Sequence, residues 1–381
     1  MRFITIIAIS LVKLSLTAQN VKKTNIEYNY LRKPLEYLDK EIEKYQINID
    51  VSWEENEKQK QENYQEELNI AEREYQIALA KYEEKSTGSK LAENILLGSE
   101  KPTKRYVSKP TFIPLPEVNL IKSKVKLDGF SKAQEGLRIQ ITYQDFYLSS
   151  PEDKIHTKDG RELHERTVNF KQPVSLSLIT DNNETIFNEV LPYSNEMITA
   201  NSRLYYSGKE WQNFLRDNGT TFFHKDIKKH YQKLIQEINT VLNYHYGYSH
   251  ILRKSQLYTG KGKKFNYDNL FSTLKKAQRA LENITIERNN SVETLKECIN
   301  TWEKELELIE PKNKKARINN TIGQALQLNI IEAKILIGDY KGAMEQCDLL
   351  DMNPDIKKKY RNKAEKLREF MKDEKRRNRD H

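Results

Sequence analysis

The chain has 381 residues, with 64 Lys and Arg against 55 Asp and Glu, a net charge of +9, and 37% hydrophobic residues. At about 150 residues per domain this length holds roughly two or three compact units, and the composition is neither collagen-like nor low-complexity. A mean hydropathy of −0.82 excludes a polytopic membrane protein, and two cysteines exclude both a disulfide scaffold and a zinc site of four thiolates.

The N-terminus reads as a signal peptide, residues 1–18. Met1-Arg2 supplies a positive start, Phe3 to Val12 an apolar run, and Leu16-Thr17-Ala18 a cleavage site, although Leu16 is larger than the small residue preferred there. A buried first strand or an interfacial helix is the alternative reading. The expected mature chain is exported, periplasmic or associated with the outer envelope, and not a lipoprotein, because Gln19 and not a cysteine stands directly after Ala18. Charge is polarised along it: Glu54 to Ser86 carries a net −5 and Asp355 to His381 a net +6.

Residues 19–86 read as an N-terminal helical segment. Pro34 suits a first helical turn, and Leu35, Leu38 and Ile42 recur at helical spacing. Trp53 to Lys85 holds neither Pro nor Gly. Its Tyr64, Leu68, Ala71, Tyr75, Ala78 and Tyr82 form a narrow seam suited to one partner, in cis along the protein or in trans in a dimer. Residues 87–117, with prolines 102, 110, 114 and 116, read as an extended linker.

From Val118 the period changes to two. Val125–Leu127, Leu137–Tyr143, Val168–Phe170, Val174–Leu178 and Ile186–Phe187 predict short strands of an antiparallel β-sandwich-like module over 118–204. Residues 205–354 read as helices: Asp226–Leu242, Asp268–Asn283, Ser291–Ile309, Ala316–Ile337 and Tyr340–Leu350. A basic helix and tail, 355–381, follows, with Ile356, Tyr360, Ala364, Leu367 and Met371 on one face. The fold class expected is therefore α+β and multidomain.

Gly338-Asp339-Tyr340-Lys341-Gly342-Ala343, with Cys347 and Pro354, resembles the second half of a tetratricopeptide repeat, and Cys298, Trp302 and Pro311 give a weaker echo. An ordinary helical bundle explains the same residues. Together with the opening Tyr28–Leu35, the acidic helix, the Pro-rich crossing, the β module and Lys314–Ile318, the order of segments resembles a group of exported tetratricopeptide-like proteins of Bacteroidetes-type bacteria. That resemblance implies location and architecture and brings no catalytic residue.

Chemistry-bearing patterns are sparse. His156, His164 and Glu165 can meet across a hairpin as zinc ligands, but surface histidines explain them more simply; His224, His230, His245 and His250 lack ligand spacing. Cys298 and Cys347 read as two buried thiols, with a disulfide chemically allowed after export. Gly260-Lys261-Gly262-Lys263-Lys264 lacks the ending of a P-loop and reads as a surface turn. The expectation is a non-enzymatic scaffold without metal or cofactor, holding protein partners and not nucleic acid. The alternatives are glycan or anion binding through Tyr143, Phe146 and Tyr147 or through the Lys375–Arg379 tail, and last a hydrolase whose site the sequence does not reveal.

Overall fold

The computed structural model describes residues 19–84 and 101–378. The expected signal peptide lies outside them, as do part of the linker and the last residues of the tail. The fold is mixed α and β and divides into two units: residues 38–244, and the N-terminal strand with residues 245 onward. No helix among the described residues is long and apolar enough to cross a membrane.

In the unit of residues 38–244, β2 (Lys44–Val51), β3 (Ser131–Lys132), β4 (Leu137–Tyr143), β8 (Val174–Ile179) and β9 (Thr185–Val190) form one sheet in the order β3-β2-β4-β8-β9. The alternation seen in the sequence produces its buried face: Leu137, Ile139, Ile141 and Tyr143 of β4 face inward with Val174, Leu176 and Leu178 of β8. The antiparallel expectation needs correction, because β2 runs parallel to β4, with Ile47 opposite Ile139 and Ile49 opposite Ile141. Parallel neighbours require a long crossover, and α1 (Glu54–Glu84) lies within this one. A second sheet joins β10 (Ile198–Asn201), β7 (Arg161–Lys171), β5 (Tyr147–Leu148) and β6 (Glu152–Lys158).

The seam on α1 is filled in cis over its first half. Residues 104–113 return alongside it: Lys104 pairs with Glu72 at 2.5 Å, Phe112 packs edge-on against Tyr64, and Ile113 N–H donates to buried Glu57. The described part of this Pro-rich segment has no helix or strand of its own and is docked on α1. Its far side is held by α4 (His224–His245): Phe112 O bonds His224 Nε2 at 2.8 Å and Pro114 O accepts from Tyr231 at 2.9 Å.

At the start of the module the period-two reading from Val118 and the Val125–Leu127 strand fail for identifiable reasons. Val118–Lys124 is a helix, α2, that buries Ile121. Val125 and Leu127 are buried without entering a sheet, because Asn239 and Asn243 of α4 bond the backbone of Lys124, Lys126 and Asp128 as a neighbouring strand would. The unit also holds α3 (Gly208–Asn218), capped by Ser207.

The other unit begins with a correction. The expected helix around Leu35–Ile42 is loop, and the segment before it is a strand, β1 (Asn20–Arg32), paired antiparallel along its full length with β11 (Ser249–Lys261). Ile26, Tyr28 and Tyr30 alternate inward, a period-two signal that the Pro34 pattern masked. A helix of two turns lacks enough buried face to offset its nucleation cost, and the chain instead crosses between units at Tyr37–Leu38.

The remaining elements follow the sequence closely: α5 (Asp268–Glu282), α6 (Arg288–Leu306), α7 (Asn320–Ile337), α8 (Tyr340–Asp351) and α9 (Lys358–Arg377), with a two-residue parallel pairing of β12 (Ile309–Glu310) and β13 (Ile318–Asn319). The helices pack together around α7, which is buried on most sides and mostly apolar, with Gln324, Asn329 and Glu332 as its buried polar residues. Ile322, Leu326 and Ile330 join a core with Leu274, Trp302 and the ribbon, while Leu328, Ile331 and Ile335 join a second with Cys347, Tyr360 and Leu367. Gly338 ends α7 with φ of 86°, a conformation few other residues adopt. Asp339 then starts α8 by accepting from Gly342 N–H at 2.9 Å.

Candidate functional site

The β1–β11 ribbon carries the cross-strand pairs Lys23–Tyr258, Asn25–Gln256 and Glu27–Lys254 on one face and Ile26–Ser255 and Tyr28–Arg253 on the other, and residues of both faces line one concavity. With α9 it bounds an open cavity of about 840 Å³, within the range of small-ligand sites. The charged stripe of α9 supplies the wall: Lys359, Lys363 and Lys366, at i, i+4 and i+7, lie along one face. The apolar stripe of the same helix, Tyr360, Ala364, Leu367 and Met371, is buried and fixes that orientation.

At the base of the cavity sits Glu332 of α7, 1% exposed. Arg253 Nε donates to its Oε1 at 2.8 Å, Tyr28 OH to Oε1 at 2.6 Å and Ser255 Oγ to Oε2 at 2.8 Å. Burial by itself pushes this carboxyl up, yet the Arg253 charge and the three donors outweigh it and hold the group below the ordinary carboxylate range. The same network pushes the Tyr28 phenol well up, by burial first and then by the Glu332 charge. Arg253 also stacks on the Phe370 ring, 3.7 Å from its centroid.

Lys363 is fixed differently. Its ammonium donates to Gln256 O at 3.0 Å and Tyr258 OH at 3.3 Å and lies over the Tyr258 ring. Burial, with Arg253 and Lys23 nearby, lowers its pKa to about 8 against the opposing pull of Glu332. The arrangement presents a preorganised cationic surface around a neutralised carboxylate. Sequence reading gave a basic helix with one apolar face but missed the lysine stripe as a wall and the cavity itself, because β1 and β11 were not recognised as a pair.

The residues singled out in the sequence fall elsewhere. His156 Nε2 meets Glu165 Oε2 at 2.9 Å on an exposed hairpin face, whereas His164 stacks on Trp211 at 5.6 Å. No metal-holding group occurs among the described residues. His230 is buried among Phe170, Tyr193 and Tyr231, and burial lowers its pKa to about 4. His224 and His245 bond Phe112 O and Glu36, and His250 lies on β11.

Cys298 and Cys347 are free thiols in separate cores, each pushed up to about 11 by burial. Gly260 and Lys261 belong to β11, not to a surface turn. A Cβ at Gly260 would overlap the Tyr267 ring, so close packing explains that glycine without a phosphate. Of the aromatic trio, Tyr143 is fully buried and Phe146 stacks on Phe170 at 5.8 Å, leaving Tyr147 half-exposed. In the basic tail Arg377 is buried, pairing with Asp373 at 2.9 Å and donating to Lys33 O at 3.1 Å.

No protein-family model matches this chain, and no curated protein does. Among solved structures, a minor lipoprotein from Acinetobacter baumannii is similar at 8% identity over 52% of this chain and 92% of its own, with a TM-score of 0.21. A likeness of that size carries no argument about fold or function.

Proposed function

We propose that this is an exported cell-envelope protein that works by contact and not by catalysis. In this reading α5–α9 form a degenerate tetratricopeptide-like scaffold for protein partners, and the sheets of the other unit form a sandwich-like companion module. The leader-like character of residues 1–18 supports export. The observation that carries the reading is the state of Glu332: three donors, one of them the charged guanidinium of Arg253, hold it ionised at the base of the cavity. A carboxylate so engaged is a poor proton acceptor at neutral pH, and what the cavity offers a visitor is fixed charge.

A photo-crosslinking residue at Asn362, exposed on the cavity wall, should trap a defined partner in the cell envelope. The same residue at Glu293, exposed on α6, serves as the control. Equal adducts from both positions, or none from Asn362, would overturn the proposal.

A further inference from the structure

Resting on that reading, we infer that the cavity between the β1–β11 ribbon and α9 takes a phosphoryl-bearing ligand with more than one anionic centre. Two cation–carboxylate pairs in the lining are internally balanced: Arg253 with Glu332 at 2.8 Å and Lys254 with Glu27 at 3.1 Å. Lys23, Lys359, Lys363 and Lys366 remain with no carboxylate within ion-pair distance among the described residues. Ammonium groups gathered around one concavity repel each other; at Lys363 burial first, then the Arg253 and Lys23 charges, lower the pKa to about 8 against the pull of Glu332. A polyanion removes the repulsion.

The type of cation selects the type of anion. Planar carboxylates are recognised best by the fork of arginine, whereas lysine acts as a mobile point charge suited to a tetrahedral, multiply charged oxyanion. The arginine in this lining, Arg253, is committed to Glu332. Everything left is lysine, with Asn25, Asn362 and Gln256 as neutral hydrogen-bonding groups. Lys359 to Lys366 spans about 10 Å along the helix, longer than a single phosphate and suited to a ligand with two or more charged groups.

Isothermal titration at low salt tests this with pyrophosphate, inorganic phosphate and citrate, alongside co-sedimentation with phosphatidylglycerol–phosphatidylcholine vesicles. Pyrophosphate binding at least ten-fold tighter than citrate, lost ten-fold or more in Lys363→Met and in the exposed Lys366→Glu, supports the inference with a soluble phosphoryl source. Vesicle binding lost in the same variants, without pyrophosphate binding, supports it with a lipid headgroup as the source. Equal affinity for citrate and pyrophosphate, binding unchanged in Lys366→Glu, or no binding of any probe overturns it. A partner still trapped at Asn362 would then show that this inference alone had failed.

Discussion

Glu332 and Glu374 lie in the same unit, at 1% and 7% exposure, and are driven in opposite directions. Glu332 has a guanidinium and two hydroxyls placed on it. Glu374, on α9 beside a small cavity lined by Tyr30, Leu336 and Tyr340, has one buried oxygen with no hydrogen-bond partner. Burial, with the neighbouring Asp373 charge, pushes it up to about 7 despite Arg377, Arg32 and Arg253. Depth does not decide whether a buried carboxyl is charged; the donors aimed at it do.

The comparison breaks most forcefully at its charged end. Glu332→Gln leaves Arg253 without its counter-charge and should cost about 3–5 kcal/mol, read as a lower urea midpoint with an unchanged slope. The next effect separates the pair by sign. Glu374 binds its proton more tightly folded than unfolded. Its contribution is therefore complete below its ordinary 4.5 and is lost as pH rises through about 7. Wild type should lose roughly 2–3 kcal/mol relative to Glu374→Gln across that window, measured by denaturation at successive pH values. Glu332 works the other way: its contribution is present above 4.5 and lost as pH falls through its lowered value. Smallest is Tyr28→Phe, which removes one donor from a charged acceptor and should cost about 1.5–3 kcal/mol. A loss equal to that of Glu332→Gln would show that the three donors act as one unit.

Local patterns made much of this legible. The α9 stripe, the turn at Gly338 and the alternation of β4 and β8 all stand in short windows whose periodicity reports the buried face directly. The ribbon was not legible, because Asn20 pairs with Lys261 and no short window contains both. The same distance hid the site: Lys359 and Lys363 could be placed on one face of a helix, but the wall opposite them comes from Lys23 and Gln256. Val125–Leu127 misled for a different reason, since asparagine side chains on α4 do the work of a neighbouring strand.

The crossings between the units have a consequence for biogenesis. The chain leaves the helical unit after Tyr37 and re-enters at His245, and Glu36 N–H donates to His245 O at 2.8 Å where the outgoing and returning segments meet. Topologically, residues 38–244 are a guest inserted into a host whose first strand must wait for its mate. As synthesis proceeds, the guest can complete its sheets while β1 stays unpaired, and the lysine-walled cavity exists only after the last long helix has arrived. Ligand capture would then report that synthesis has passed α9.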